Sequence, residues 1–505
     1  MTKRTAILIG FIVIKFLLQY FMLSPEYDLH RDEFLHLDQG NHLAWGFTSV
    51  PPVTSWLSLL IKILGNSVFW IKFFPALFGA LTLLVVWKTV EELKGNLFAL
   101  ILSAAAILVS VLLRLNSLYQ PNSLDVLCWT MFYYVVIRYF NNGNQRLLYL
   151  AAIVFAIGFL NKYNIIFMLA GILPSILLTR QRNVFSQKSV YLAALCGMLF
   201  IGPNLFWQYQ NNFPVVHHMK ELAATQLVHV DRVAFIKSQL FFFIGSLFVI
   251  IAALWALIMY QPYQRYKPFF FSFFITLMIF LSLKAKDYYA IGVYPIYIAF
   301  GAAYLGAQLN TGWKRYLRPV AIIIPLLFLI PMYYIDFPKS PQYIVKNKKR
   351  YKDLGMLRWE DGKDHLLPQD YADMLGWKEL AQKVDQVYAN LPNRAQTVVL
   401  CDNYGQAGAI NYYSKKGVKA VSFNADYINW FNFDQQYVNV IRVKTWSGQA
   451  GELQESAPYF TTSSKIAEVS NPFAREYGTT IFLFTGAKID VNKRLKAEIA
   501  EESKF

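Results

Sequence analysis

The chain has 505 residues, of which 56% are hydrophobic and 17% aromatic, and its mean hydropathy is +0.33. This composition is too apolar for an ordinary soluble protein of that length, so we expect a protein of the bilayer. The formal net charge is +17, but the Lys and Arg residues form small clusters between apolar runs, which is typical of membrane loops and argues against a nucleic-acid partner.

The first element is an apolar stretch from Thr5 to Leu23 behind the basic start MTKR, and it predicts an uncleaved membrane span. Further runs of spanning length follow at 68–88, 97–113, 124–140, 190–207, 235–259, 269–283, 290–308 and 319–335. The region 147–178 is interrupted by Asn161-Lys162-Tyr163-Asn164, which predicts two short spans that meet at a polar tip. The chain is thus predicted to cross the membrane about eleven times.

The loops between these runs differ in charge. With the N-terminus inside, every second loop is basic, as cytoplasmic loops are expected to be. These predicted inner loops contain Lys3/Arg4, Lys88/Lys94, Arg138/Arg146, Arg180/Arg182/Lys188, Arg265/Lys267 and Lys314/Arg315/Arg318. The outer loops, 24–52, 114–124, 208–234 and 284–289, hold nearly all carboxylates, histidines and tyrosines of the short loops.

The hydrophilic tail also falls outside. It contains apolar, β-rich runs at 397–401, 418–423, 438–443 and 480–484, which predict strands of a small α/β domain. We therefore expect an all-α polytopic membrane domain, residues 1–335, and a C-terminal extracytoplasmic α/β domain, residues 336–505. The segment from Lys339 to Lys352 is predicted to follow the membrane surface, and the motif CDNYGQAGAINYY is interpreted mainly as a packing element.

The first outer loop, which begins SPEYDLHRDEFLHLDQGNHLAWG, is the richest in reactive groups. Asp32 and Glu33 are adjacent, and His36 follows one helical turn later. Two neighbouring carboxylates can supply a general base and its supporting partner, because repulsion and partial burial raise the pKa of one of them. The alternative is an ordinary solvated acidic pair.

Five segments carry a resemblance to a known family. They are RDEFLHLDQGNHLAWG with SVPPVTSWL, QPNSLDVLCWTMFYYVVIRY, GFLNKYNIIFMLAGIL, GPNLFWQYQNNFPVVHHM and KAKDYYAIGVYPIYIAFGAAYLG. In order and spacing the chain resembles the dolichyl-phosphate-mannose protein mannosyltransferases and their bacterial relatives, including the aminoarabinose transferases of lipid A, over much of 1–335. The resemblance implies a GT-C fold, a catalytic carboxylate at Asp32 with Glu33 as the second member of the motif, and a variable outer tail.

The same resemblance implies an enzyme that takes a sugar from a polyprenyl phosphate at the periplasmic face of a bacterial inner membrane. Such a reaction needs cations for the departing phosphate. Lys284 and Lys286 are predicted to supply this charge, with Lys162 and Arg114 as further candidates. The alternative for each is contact with lipid headgroups.

Other side chains of the outer loops are candidate substrate contacts. They are Asp125, Tyr119, His36, Tyr288 and Tyr289. The alternative for Asp125 is a favourable interaction with the dipole of its own helix. The alternative for Tyr119 is a position in the aromatic belt of the membrane interface.

His217 and His218 are candidate ligands of a divalent metal, Zn²⁺, Mn²⁺ or Mg²⁺, together with Asp125 or a carboxylate of the first loop. Adjacent histidines on a regular helix do not aim at one ion, so a substrate contact or a surface position is the alternative.

The sequence thus predicts a glycosyltransferase, hexosyl or pentosyl, with Asp32 as general base. Its expected partners are the lipid-linked donor, membrane lipids and a lipid A, glycan or protein acceptor. Ser49-Val50 precede Pro51-Pro52, where some relatives have a basic residue, so the sugar stays open. The alternatives are a transporter or flippase for lipid-linked sugars, a glycan ligase, and a membrane anchor for the tail.

Overall fold

In the computed structural model, which describes residues 2–502, apolar helices come first and a five-stranded sheet comes last. The helices of the first part are α1 (Lys3–Phe21), α2 (Arg31–Gln39), α3 (Val53–Ile63), α4 (Val68–Glu92), α5 (Leu97–Leu108), α6 (Leu112–Leu115), α7 (Asn122–Asn142), α8 (Arg146–Asn161), α9 (Ile165–Leu177), α10 (Lys188–Gln210), α11 (Pro214–Thr225), α12 (Arg232–Phe241), α13 (Leu247–Met259), α14 (Lys267–Ser282), α15 (Tyr294–Gln308), α16 (Leu317–Leu327) and α17 (Leu329–Ile335).

Many of these helices are apolar enough for a bilayer. Among residues 2–502, six helical segments are long and apolar enough to cross a membrane, or up to eight if each of two bent pairs forms one span. The bent pairs are α9 with the helix after it, at 106°, and α12 with the segment Ile244–Met259, at 62°. The prediction of a multi-pass membrane protein is confirmed, whereas the number of about eleven crossings stays a prediction.

The centre of the bundle is α15, which is almost wholly buried. It packs closely on α13, because a Cβ at Gly301 would lie 1.9 Å from the carbonyl oxygen of Val249, an approach that only glycine permits. The short helix Asp287–Val293 leads directly into α15. Its tyrosines are therefore fixed at one end of the bundle.

The loops predicted to be internal meet at the other end of the bundle. The Glu92 carboxylate contacts the Arg138 guanidinium at 3.9 Å and accepts a hydrogen bond from Asn141 at 2.6 Å. The Tyr139 hydroxyl donates to Gln187 at 2.9 Å. Three loops with predicted inner placement therefore share one end, as the charge pattern requires.

The second part of the chain is an α/β unit. Its elements are α18 (Pro341–Lys346), α19 (Lys348–Asp353), α20 (Gln369–Ala372), α21 (Trp377–Ala389), β1 (Thr397–Cys401), α22 (Tyr404–Tyr413), β2 (Ala420–Ser422), β3 (Asn439–Lys444), α23 (Glu452–Ser456), β4 (Phe460–Glu468), β5 (Thr480–Ala487) and α24 (Val491–Glu502). The strand order is β2-β1-β3-β5-β4. β1 runs parallel to β2 and β3, and β5 is antiparallel to β3 and β4.

The sheet has an apolar layer on each face. β1 is buried along its whole length, and its neighbour in register is β3, where Val399 lies opposite Ile441. One face packs on α21 and α22, and the other packs on α24 through Val491 and Leu495. The predicted α/β class is confirmed, as are four of the strands; β4 was not predicted.

The first loop lies between the two parts. On its C-terminal side, Asp38 of α2 accepts hydrogen bonds from the Tyr427 hydroxyl at 2.6 Å and from Asn411 at 2.8 Å. Asp426 accepts from Gln39 and from the backbone of Thr48, both at 2.8 Å. The α/β unit therefore holds α2 directly. We call the end of the bundle that carries these contacts the domain-facing end.

Candidate active site

The start of α2 determines where its two carboxylates point. The imidazole of His30 accepts a hydrogen bond from the backbone N–H of Asp32 at 3.2 Å, and Glu33 accepts from the backbone N–H of His30 at 2.8 Å. This reciprocal arrangement is a capping box. Because successive residues of a helix project in directions about 100° apart, Asp32 and Glu33 reach different surroundings.

Glu33 is fully buried and faces the membrane helices. Its carboxylate forms an ion pair with Lys72 of α4, at 2.5 and 2.8 Å, and accepts from the backbone N–H of Tyr119 at 2.7 Å. Buried charges are expected to have such partners. The predicted role of Glu33 as the supporting partner of Asp32 stays a prediction. Through Lys72 and two backbone N–H groups, Glu33 is fixed against the membrane helices. It positions α2.

Asp32 points the other way and 36% of its side chain is exposed. One carboxylate oxygen accepts from the Tyr404 hydroxyl at 2.7 Å, and the other accepts from the Gln120 amide at 3.0 Å. Burial raises the pKa of Asp32, but His30, Arg31 and the Tyr404 hydrogen bond outweigh it and lower the pKa to about 2. The predicted upward shift is wrong, because cations and a hydroxyl surround this carboxylate and Glu33 is neutralised by Lys72. Asp32 is thus ionised at neutral pH.

A chain of hydrogen bonds runs from Asp32 to a lysine. Gln120, which donates to Asp32, accepts from the Asn122 amide at 2.9 Å, and Asn122 in turn accepts from the Lys162 ammonium at 2.7 Å. Side chains from three loops are involved. The chain brings a carboxylate and a cation to one surface of the domain-facing end.

Lys162 lies at the break between α8 and α9. Its ammonium is 4.4 Å from the ring centre of Tyr289 and 5.3 Å from that of Tyr288, close enough for cation–π attraction. Burial lowers the pKa of Lys162 to about 8, with Asp125 opposing this shift and Lys286 adding to it. Four predicted residues, Lys162, Lys286, Tyr288 and Tyr289, are therefore brought together.

The other predicted phosphate-binding cations differ from one another. The Lys286 ammonium pairs with Glu360 of the α/β unit. Lys284 is exposed and forms no ion pair within residues 2–502. Arg114 pairs with Asp370 at 3.3 Å and lies 5.0 Å from the Tyr371 ring. The structure therefore does not bring Lys284 into contact with Lys162, and it places Arg114 between the bundle and the α/β unit.

Two predicted substrate contacts are buried supports of the first loop. The Tyr119 hydroxyl donates to the carbonyl of Thr54 at 2.9 Å and lies 2.8 Å from the Ser58 hydroxyl. His36 lies 3.1 Å from the Gln39 side chain, and burial lowers its pKa. Both side chains are almost inaccessible. Both side chains hold the first loop in place, and their predicted contacts with a substrate stay predictions.

Asp125 is also buried. It accepts from the Trp129 indole and from the Asn164 amide, each at 3.0 Å. Asn164 belongs to the same helix break as Lys162, so Asp125 fixes the position of that break. Asp125 thus acts on Lys162 through its position and its charge, and its predicted contact with the substrate stays a prediction.

The two histidines lie on α11. His217 is exposed and His218 is half-buried. Burial lowers the pKa of His218, Glu221 and Asp426 oppose this shift, and Lys286 adds to it. The described part of the chain contains no group of three His, Cys, Asp or Glu side chains able to hold a metal. The predicted metal-ligand set is therefore not assembled there.

Sequence reasoning missed three partners of the site. Gln120 and Asn122 lie in QPNS, within a segment that was singled out for its resemblance, but no role followed from their type alone. Tyr404 lies in the DNYG motif and was interpreted as packing. Its ring does pack, 4.4 Å from the Arg31 guanidinium, while its hydroxyl reaches Asp32.

Known proteins resemble this chain in sequence and in fold. A family model described as dolichyl-phosphate-mannose-protein mannosyltransferase matches residues 49–207. The lipid A galacturonosyltransferase RgtD of Rhizobium johnstonii is 24% identical over 329 residues, which cover 60% of this chain and 68% of that protein. These matches confirm the predicted resemblance.

Two solved structures cover nearly all of the chain. ArnT from Cupriavidus metallidurans bound to undecaprenyl phosphate matches with a TM-score of 0.59 at 11% identity, over 95% of this chain and 98% of ArnT. The archaeal oligosaccharyltransferase AglB from Archaeoglobus fulgidus, in complex with an inhibitory peptide and a dolichol-phosphate, matches with a TM-score of 0.52 at 11% identity, over 96% and 75% of the two chains. The predicted GT-C fold is confirmed.

Proposed function

We propose that this chain, a mannosyltransferase-like glycosyltransferase of the GT-C fold, transfers a sugar from a polyprenyl-phosphate donor to an acceptor outside the cytoplasm. The main support for this site is the chain of hydrogen bonds that joins the partly exposed Asp32 to Lys162. A base for the acceptor and a cation for the phosphate then lie on one surface, which is what such a transfer requires.

In the proposed reaction, an acceptor hydroxyl or amine attacks the anomeric carbon of the donor sugar. The bond between that carbon and the phosphate oxygen breaks, and its electron pair leaves with the phosphate. The ionised Asp32 accepts the proton of the acceptor as the new bond forms. A single displacement of this kind inverts the configuration at the anomeric carbon.

Lys162 and Lys286 stabilise the phosphate. Negative charge accumulates on the leaving oxygen in the transition state, so a preorganised cation there lowers the barrier. Lys162 already lies against two tyrosine rings and needs no large movement. Lys286 exchanges its partner Glu360 for the phosphate when the donor binds.

The Asp32 carboxylate is oriented by neutral neighbours and by its own backbone. Gln120 and Tyr404 each hold one oxygen of the Asp32 carboxylate, and the capping box fixes its backbone. Held in this way, the carboxylate loses little orientational freedom when the acceptor arrives. We assign Gln120 and Tyr404 as positioning residues.

We place the enzyme in a bacterial inner membrane, with the active site and the α/β unit on the periplasmic side. The positive-inside pattern supports this orientation, because the basic loops share the end opposite to Asp32. The name of the Rhizobium relative favours lipid A among the possible acceptors. A transporter is disfavoured, since the polar site lies at one end of the bundle rather than at its middle.

The test is turnover by the purified protein in proteoliposomes with defined polyprenyl-phosphate sugars and lipid A, with release of polyprenyl phosphate measured by mass spectrometry. Asp32→Asn should lower turnover by about 100-fold or more, because general base catalysis contributes 10²–10⁴-fold. The matched control is Glu26→Gln, an exposed carboxylate in the same loop, which should leave turnover unchanged. Turnover by Asp32→Asn within about threefold of wild type, in a protein with an unaltered melting curve, would remove the assignment.

A further inference from the structure

A basic cleft lies where the last apolar helix of the bundle ends. It has a volume of about 590 Å³ and opens to the surface. It is lined by Ile335, Lys346, Asn347, Lys349, Arg350, Asp353 and Leu354. Three cations, one carboxylate and two apolar side chains therefore line the cleft. Such a lining is complementary to an amphipathic anion rather than to a neutral ligand.

The position of this cleft relative to a bilayer follows from the helix before it. The segment Gly312–Ile335 is long and apolar enough to span, and only 11% of its most apolar window is buried inside the protein. Most of that surface must therefore face lipid. Tyr333 and Tyr334, in its last turn, are exposed, as is typical of the aromatic belt at a membrane interface. The cleft therefore begins at headgroup level.

The segment that supplies the cations is folded and anchored. The Tyr27 hydroxyl donates to the carbonyl of Lys339 at 2.6 Å. Ile344 and Tyr351 are buried in a small core beneath α18 and α19. Lys346 and Lys349 consequently project outward from a fixed backbone, and little ordering of the chain is needed when an anion binds.

The cations are also unneutralised. Lys352 pairs with Asp364 at 3.4 Å, but within residues 2–502 none of Lys346, Lys349 and Arg350 forms an ion pair with a carboxylate. The Arg350 guanidinium lies 5.0 Å from the Tyr334 ring centre, where it stays free to donate hydrogen bonds to an anion. Arg and Lys in such a setting are favoured partners of phosphate.

We propose that this cleft binds the phosphate headgroup of an anionic phospholipid in the leaflet next to the α/β unit. The phosphate lies between Lys346, Lys349 and Arg350, and the acyl chains follow the lipid-facing side of α16 and α17 past Ile335. The site is separate from the group around Asp32 and does not depend on the proposed reaction.

The experiment uses the purified full chain in detergent, titrated with phosphatidylglycerol or with phosphatidylcholine, and counts bound lipid by native mass spectrometry. Phosphatidylglycerol should bind more tightly than phosphatidylcholine. The triple variant Lys346→Gln/Lys349→Gln/Arg350→Gln should lower the affinity for phosphatidylglycerol by about tenfold, since each basic residue near an anionic headgroup contributes to binding.

The matched control is Lys415→Gln/Lys416→Gln/Lys488→Gln, which removes the same charge from exposed positions of the α/β unit and should bind phosphatidylglycerol like wild type. Equal binding of the two lipids, or unaltered binding by the first triple variant with its melting curve intact, would overturn the proposal. Inorganic phosphate that displaces the lipid at equimolar concentration would also overturn it, in favour of a site for soluble anions.

Discussion

In the proposed reaction, the charge of one side chain, Lys162, determines the pH range in which the site binds the donor phosphate. Burial beside two tyrosine rings lowers its pKa to about 8. Below that pH the ammonium is protonated and attracts the donor phosphate. As pH rises through about 8, the free enzyme loses this cation, while Asp32, with a pKa of about 2, stays ionised throughout.

We therefore predict that kcat/KM for the donor falls as pH rises through about 8, because kcat/KM reports the ionisation of the free enzyme. Lys162→Gln should raise KM for the donor about 10- to 100-fold, as expected for loss of a hydrogen bond to a charged group worth roughly 1.5–3 kcal/mol. It should also remove the basic limb of the profile. Steady-state kinetics from neutral to alkaline pH measure both effects.

Lys284→Gln is the control for this measurement, because Lys284 lies in a neighbouring loop but is exposed. Its KM and its pH profile should match those of the wild type. A basic limb that persists in Lys162→Gln would assign the titration to another group and contradict the role of Lys162.

At the scale of elements, α2 is fixed from two sides. Glu33 ties it to α4 through Lys72, and Asp38 ties it to the α/β unit through Tyr427 and Asn411. Asp32 lies in the first turn of α2 and is itself partly exposed. A short helix that is held on both sides presents the Asp32 carboxylate in a fixed direction.

The ion pair between Glu33 and Lys72 should be essential for stability. The two side chains are 0% and 11% exposed, and removing one member of a buried pair leaves an uncompensated charge at a cost of about 3–5 kcal/mol. Lys72→Met should therefore lower the melting temperature markedly, and Glu33→Gln added to it should restore part of the loss. Differential scanning fluorimetry in detergent measures both.

An exposed ion pair on α4 provides the control for the Lys72 prediction. Lys88 and Glu91 of α4 form an ion pair at 2.8 Å, but 49% of the lysine side chain is exposed. Exposed pairs contribute about 0–1 kcal/mol, so Lys88→Met should hardly change the melting temperature. If Lys72→Met were as mild as Lys88→Met, α2 would not be held through this contact.

Elements were predictable from sequence where burial imposes a pattern. The apolar runs became helices, and the fully buried β1 was found as Thr397–Cys401. β4 was missed because it is an edge strand whose residues are mostly exposed, so its sequence FTTSSKIAE has no apolar alternation. Lys72 was a usable signal: a cation in an apolar span requires a partner, although the sequence alone did not identify Glu33.

Contacts between distant parts of the chain were not predictable in this way. Asp32 was singled out through the family resemblance and Lys162 through its residue type, and both of their roles stay predictions. Their connection through Gln120 and Asn122 depends on three loops meeting at one end of the bundle, and local patterns do not encode side-chain hydrogen bonds over such separations. The same holds for Tyr404, which is 372 residues from Asp32 in sequence.

In the whole molecule, the α/β unit contributes side chains to the proposed site. Tyr404 of α22 reaches Asp32, and Glu360 reaches Lys286, so the α/β unit contacts both the base and a cation of the proposed site. The tail was expected to be a variable addition. These contacts make it a part of the proposed site.

Tyr404→Phe tests this dependence, because it removes the hydroxyl and retains the ring that lies 4.4 Å from Arg31. Loss of a hydrogen bond to the ionised form raises the pKa of Asp32 above about 2, so the acid limb of kcat/KM should move to higher pH. We expect kcat to fall about tenfold through poorer orientation of the base, with KM for the donor unchanged.

Tyr413→Phe is the control on the same helix, since its hydroxyl accepts from the backbone N–H of Leu29 at 3.2 Å across the same interface. A purely structural interface would give both variants the same profile, whereas a positioning role moves the acid limb only in Tyr404→Phe.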